Sequence, residues 1–214
     1  MSTKIYHIDK INTDNIDFLK GNAISGNIIV PIYYKTKTKN PLIIQLFDVK
    51  IRNYTSNKLI IQLENDNLDF LSTLDTLIQS RLKKIIIQLK TSRMFNTNTK
   101  NISYDAIIKT LDNNDEDKFA MLQMTDSCKV YNDDKKLIEK DEYETVLSSD
   151  VSAKLIIEVN SIVFDKEEIS VNLKLHQIKI TEANAPMLEL NLNTYAFSDS
   201  ETESESLSDS EAAC

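Results

Sequence analysis

The chain has 214 residues, 41% hydrophobic and 27% charged, with a net charge of −8. This suits one domain with a real core and excludes wholesale disorder. Two cysteines, Cys128 and Cys214, exclude a disulfide framework and fit a reducing compartment. No apolar run approaches the ~20 residues of a membrane span, and Met1–Lys20, with Asp9, Asp14 and Asp17, has no secretory apolar region, so the expected location is intracellular.

Met1–Asn27 is weakly periodic and reads as a lead-in with one short strand. Ile28–Tyr34 is β-branched and aromatic, and Pro31 within it marks an edge or a bulge. Lys35–Pro41 is a polar turn. Leu42–Ile51 and Lys58–Leu63 are predicted strands joined by Arg52–Asn57. The period then changes. Leu68, Leu71, Leu74, Ile78, Leu82, Ile85 and Leu89 recur at helical steps, predicting a helix from about Asp66 to Lys90 with Asn65 or Asp66 as N-cap. Its end, Ile85–Leu89, fits a strand equally well. Thr91–Asn101 is a polar loop, Tyr104–Leu111 a short strand or a turn of helix, and Asp112–Asp117 a solvated acidic loop. Phe119–Met124 and Lys129–Tyr131 are predicted short strands, and Asp133–Glu144 an exposed connection.

Ser152–Phe164 and Ile169–Ile180 form the strongest hairpin, turning at Asp165–Glu168. Ile169, Val171, Leu173 and Leu175 share one face, whereas Ile178 and Ile180 take the opposite parity. The phase slips at His176–Gln177, as at a β-bulge or a barrel corner. The fold class expected is all-β to α+β. Residues 198–214 hold six acids (Asp199, Glu201, Glu203, Glu205, Asp209 and Glu211), no base and one large apolar residue, Leu207. They are expected to form a disordered acidic tail behind a domain spanning 1–197.

Catalytic chemistry has little to stand on. Two histidines, His7 and His176, lie far apart, no Cys/His spacing resembles a zinc site, and two glycines cannot build a phosphate-binding loop. The carboxylates fall mostly in acidic runs rather than at strand ends, where a two-metal site would need them. The expectation is no enzyme, no metal and no cofactor.

Charge is segregated. Residues 1–110 carry 16 bases and 9 acids, and residues 111–197 carry 9 bases and 18 acids. The basic half interleaves cations with aromatics: Tyr33, Lys35, Lys37, Lys50, Arg52, Tyr54 and Lys58, then Arg93, Phe95 and Lys100. Unpaired nucleic acid needs both, cations for phosphates and aromatic faces for bases. Lys50 and Arg52 should share one strand face, opposite Val49 and Ile51. Phe47 is expected in the core, and of the neighbours Tyr33 and Tyr34 at most one should face it. The same residues also fit a solvated sheet face guarded by lysines. The acidic end reads as a mimic of an anionic ligand that docks partner proteins once displaced, or as a solubility tail.

Three segments carry a resemblance. Pro41–Ile51 (PLIIQLFDVKI), Ala153–Phe164 (AKLIIEVNSIVF) and Ile169–Ile180 (ISVNLKLHQIKI, with Gln177, Ile178 and Lys179 as its signature) resemble the single-stranded DNA-binding proteins of large eukaryotic DNA viruses. That OB-fold group occurs in asfarviruses, phycodnaviruses and mimivirus-like viruses. The chain departs from it after Gln45, where the group has a Thr-Pro-basic stretch and this chain has Leu46, Phe47 and Asp48; the group's Trp near Val163 is also absent. The resemblance implies an elaborated OB-like barrel and sequence-independent binding of single-stranded DNA in viral replication, recombination or repair. The rival from another class is a protein-interaction or virion structural module.

Overall fold

The computed structural model describes residues 4–94, 102–111, 114–147 and 151–182. Six long strands and one long helix organise them: β1 (Asn27–Lys35), β2 (Leu42–Thr55), β3 (Lys58–Gln62), α1 (Asn65–Thr91), β4 (Asn114–Tyr131), β5 (Val151–Phe164) and β6 (Glu168–Glu182). β2 pairs antiparallel with β3, β3 antiparallel with β4, β4 parallel with β6, β6 antiparallel with β5, and β5 antiparallel with β2. The ring therefore closes on itself. A five-stranded closed sheet of this kind is an OB-like barrel. β1 extends it along the far end of β5, where Ile28–Pro31 pairs with Ser161–Phe164. That ladder ends at Pro31, which has no N–H to give.

Alternation sets the inside. Leu42, Ile44 and Leu46 on β2 and Leu155, Ile157 and Val159 on β5 are fully buried. Each such side chain contributes about 1.5–3 kcal/mol of apolar burial. Two bulges re-aim the walls. On β2, Leu46 faces Leu155 and Val49 faces Ala153, so Phe47 and Asp48 together oppose Lys154, and Asp48 takes a positive φ of 50°. On β6, Ile156 faces Gln177 while Ile157 faces Leu175, leaving His176 as the extra residue. The second bulge lies where the hydrophobic parity changes. The first overturns the expectation for Phe47, whose half-exposed ring leaves the core and stacks on His7 at 5.4 Å.

The helix runs through Thr91, so Ile85–Leu89 is helical. Phe70, Leu71, Leu74, Ile78, Ile85 and Leu89 bury one stripe of it in the barrel core. Its N-cap is Glu64, without a side-chain bond, rather than Asn65 or Asp66. A Cβ on Gly21 would lie 2.6 Å from Leu89 Cδ2, so a larger residue there would displace the Leu89 side chain. Ser25 and Gly26, at φ 51° and 86°, make the two-residue turn into β1 that a right-twisted hairpin favours.

Several connections carry more structure than the sequence implied. The lead-in holds three short strands, Tyr6–His7, Ile16–Phe18 and Asn22–Ile24. Strand β2 continues to Thr55, leaving Ser56 and Asn57 as the turn, because Tyr54 still packs against the core and pairs with Leu59. Short strands also form at Ser103–Tyr104 and Lys109–Leu111, and one long strand replaces the two short ones expected within 119–131. Both Tyr33 and Tyr34 are buried, at 7% and 5% exposure. Tyr34 turns inward, edge-on to Tyr6 at 4.8 Å. Tyr33, on the opposite face, gives its hydroxyl to Asp17 at 3.0 Å and lies under the Lys39 ammonium.

Candidate nucleic-acid interface

The outward side chains of β3 and β4 form an unusual surface for a solvent-facing sheet. Leu59, Ile61, Ala120 and Leu122 point into the core, which sends Lys58, Ile60 and Gln62, and Phe119, Met121 and Gln123, outward. Ile60 and Phe119 are half-exposed and Met121 is 36% exposed. Beside them lies an open hollow of about 290 Å³. Asn57 from the β2–β3 turn, Lys58 from the start of β3, Met121 and Gln123 from β4, and Ser170 and Asn172 from β6 line it. A cation, amides and apolar surface thus meet across three strands.

One wall is a polar brace. Asp75, buried on α1, accepts from the Tyr104 hydroxyl at 2.6 Å and the Ile107 amide at 3.1 Å. These bonds pin the segment containing Asp105, Ala106 and Ile107 beside the hollow. Burial and the Asp75 carboxylate push the Tyr104 hydroxyl far above its ordinary value. Lys109, also on this wall, pairs with Asp105.

The sequence candidates are distributed unequally. Lys58 lines the hollow. Lys50 is exposed and Arg52 half-buried on the face opposite Val49 and Ile51, in the alternation expected. Lys50 is 3.8 Å from Glu64. Arg52 is bonded to Asp117 at 2.7 Å and to Gln62 at 3.1 Å. Asp117 is therefore an ion-pair partner rather than part of a solvated loop. Lys35 is exposed at the end of β1 and Lys37 on the turn after it, and Arg93 is exposed after the helix. Tyr33 is buried, and Tyr54 packs edge-on against Tyr143 at 6.4 Å. Phe95, Lys100 and the acids Asp199, Glu201, Glu203, Glu205, Asp209 and Glu211 lie outside the described residues. Ile60, Phe119 and Met121 were missed because apolar residues in a strand read as core until the register shows which face they take.

Among the described residues no group of three His, Cys, Asp or Glu side chains could hold a metal ion. Cys128 is buried, which pushes its thiol up to about 12 and keeps it protonated. No helix among them is long and apolar enough to cross a membrane.

No family model and no curated protein matches the chain. Among solved structures it is similar to the single-stranded DNA-binding protein of bacteriophage Enc34. A C-terminal truncation of that protein matches at 13% identity and a TM-score of 0.47, over 79% of this chain and 97% of the other. The complex with single-stranded DNA matches at 12% and 0.47, over 79% and 98%. A further structure of the same protein gives 12% and 0.43, over 82% and 95%. These are bacteriophage proteins, not those of large eukaryotic DNA viruses.

Proposed function

We propose that this protein binds single-stranded DNA without regard to sequence and catalyses no reaction. In this reading it serves viral DNA replication, recombination or repair in the cytoplasm or nucleus of an infected cell. The observation that carries it is the outer face of β3–β4. Half-exposed Ile60, Phe119 and Met121 stand beside Lys58 and the amide-lined hollow, on the barrel face and loops where OB-like folds take oligonucleotides. Unpaired bases offer apolar faces to Phe119 and its neighbours, each base–aromatic stack contributing about 1–3 kcal/mol, while cations follow the phosphates. We assign phosphate contacts to Lys58 first, then to Lys50, Lys35, Lys37, Arg93 and Lys100. Arg52 reaches a phosphate only by sharing its bonds to Asp117. Stacking passes from Tyr33 and Tyr54, whose rings are engaged elsewhere, to Phe119, with Phe95 as a second candidate. The six acids of residues 198–214 compete with DNA and dock replication proteins.

Fluorescence anisotropy with labelled oligo-dT and a duplex control tests this. Tight binding to dT over duplex is expected. With about five phosphates neutralised, the log–log salt slope is about −3.5, a loss of roughly 100-fold between 50 and 200 mM salt. A protein ending at residue 197 should bind more tightly. Absence of dT binding at low salt overturns the proposal and leaves a protein-interaction module in its place.

A further inference from the structure

A second hollow, of about 320 Å³, lies elsewhere on the barrel wall. The register explains its composition. Gln45 on β2, Ile156 on β5, Gln177 on β6 and Lys129 on β4 are successive cross-strand neighbours in one row. The adjoining row runs Lys154, Lys179, Tyr131. Lys135 completes the rim. Gln45 and Gln177, distant in sequence, thus flank the same isoleucine.

The Lys154–Lys179 pairing is the unexpected feature. Like charges directly opposite on antiparallel strands destabilise a sheet. Asp133 answers Lys179 from 3.2 Å. Among the described residues no acid lies within ion-pair distance of Lys154, although Asp48 shares the bulge opposite it; its ammonium lies 5.6 Å from the Phe47 ring, and Lys135 and exposed Lys129 add to the same sign. An anion between the two strands would remove the repulsion. The floor is not that of a simple ion site, however. Ile156 and Tyr131 offer apolar and aromatic surface, and two amides offer paired donors and acceptors. Phosphate next to a flat, polar-edged ring is the composition of a nucleotide.

We propose that this row is a second contact for the same single strand, holding one nucleotide with its phosphate between Lys154 and Lys179 and its base over Ile156 against Tyr131. The inference rests on the binding reading above and extends it. The outward residues of β6 connect the two places, since Asn172 lines the first hollow and Gln177 the second. Five residues of strand span roughly 17 Å, so a short oligonucleotide occupies one hollow and a longer one occupies both.

The test is the gain in affinity with length, measured by anisotropy at low salt with dT8 and dT20 on the full chain. The wild type is expected to gain at least tenfold from dT8 to dT20. In Lys154→Glu/Lys179→Glu that gain falls below threefold, and the dT20 salt slope shrinks by about 1.4, the value for two phosphates on a single strand. Lys58→Glu weakens both lengths. Should the double glutamate variant not fold, as judged by circular dichroism, Lys154→Ala/Lys179→Ala with Gln177→Ala carries the same comparison. A variant that keeps the wild-type length gain and salt slope overturns the second contact while leaving the first intact. A wild type that binds neither oligonucleotide overturns the binding reading itself.

Discussion

Asp75 and the Lys154–Lys179 pair are both charges fixed by secondary structure, yet one is answered on every side and the other is not. The Asp75 carboxylate is buried and accepts from Tyr104, Ile107 and, at 3.3 Å, Gln79. Its neighbours were placed for it, and its role ends at holding the 104–107 segment to the helix. The two lysines are cross-strand partners, and Asp133 pairs with Lys179. Polar groups that satisfy one another describe a structural joint. Groups that repel until something arrives describe a site.

The largest effect that would break this contrast is at the joint. Asp75→Ala strands a half-buried hydroxyl and a buried amide without an acceptor, and should cost about 3 kcal/mol in urea unfolding. Asp75→Asn keeps one acceptor oxygen and should cost less. Equal, negligible losses for both would mean that the brace is ornamental.

Arg52 lies between the two cases. Its Nη2 bonds Asp117 and Gln62, but among the described residues its buried Nε has no hydrogen-bond partner. The pair is about one-third exposed, which discounts its electrostatics. Arg52→Ala should lower stability by roughly 1–1.5 kcal/mol. Arg52→Lys should recover part of it, because both bonds come from the one nitrogen Nη2 and an ammonium also carries more than one donor. A variant of unchanged stability would move Arg52 to the side of the waiting cations.

What could be read in the sequence divides along the same line. Local signals were legible. Parity change at His176 located a real bulge, alternation placed Lys50 and Arg52 opposite Val49 and Ile51, and helical spacing gave α1 to within a residue at each end. Contacts between distant segments were not. At Phe47–Asp48 the buried parity also changes, from Leu42, Ile44 and Leu46 to Val49 and Ile51, but Ile43 and Phe47 are apolar too and mask which face each residue takes. Asp117 belongs to an acidic run by composition, and only the fold sets it against Arg52, 65 positions earlier. Lys154 and Lys179 are unremarkable alone. Their opposition is a property of register, which the bulges displace by a residue at a time.

At the row itself the effect is smaller and opposite in sign to the usual cost of a substitution. Lys154→Glu turns a like-charge cross-strand pair into an opposite one, worth about 0.2–1 kcal/mol, against the loss of its contact with Phe47. The melting temperature of the protein without DNA should hold or rise at low salt. Raising salt screens the repulsion, so the wild type should gain stability relative to the variant. A variant that melts well below the wild type at low salt would make Lys154 part of the scaffold.

The smallest prediction returns to an answered pair. The Asp17 carboxyl is pushed up by partial burial, but the Phe18 amide at 2.9 Å, the Tyr33 hydroxyl, and the charges of Lys35 and Arg81 outweigh this and hold it below the usual carboxylate range. A carboxyl depressed in the folded state stabilises fully above its unfolded value of about 3.9 and loses that contribution as pH falls through the folded value. Tyr33→Phe removes one of the bonds responsible. It should cost under about 1 kcal/mol, constant from pH 5 to 8, and the difference from wild type should narrow as the pH drops below about 4. A difference that stays constant to pH 2 would assign the loss to packing around the buried ring, because only the bond to an ionised Asp17 can be titrated away.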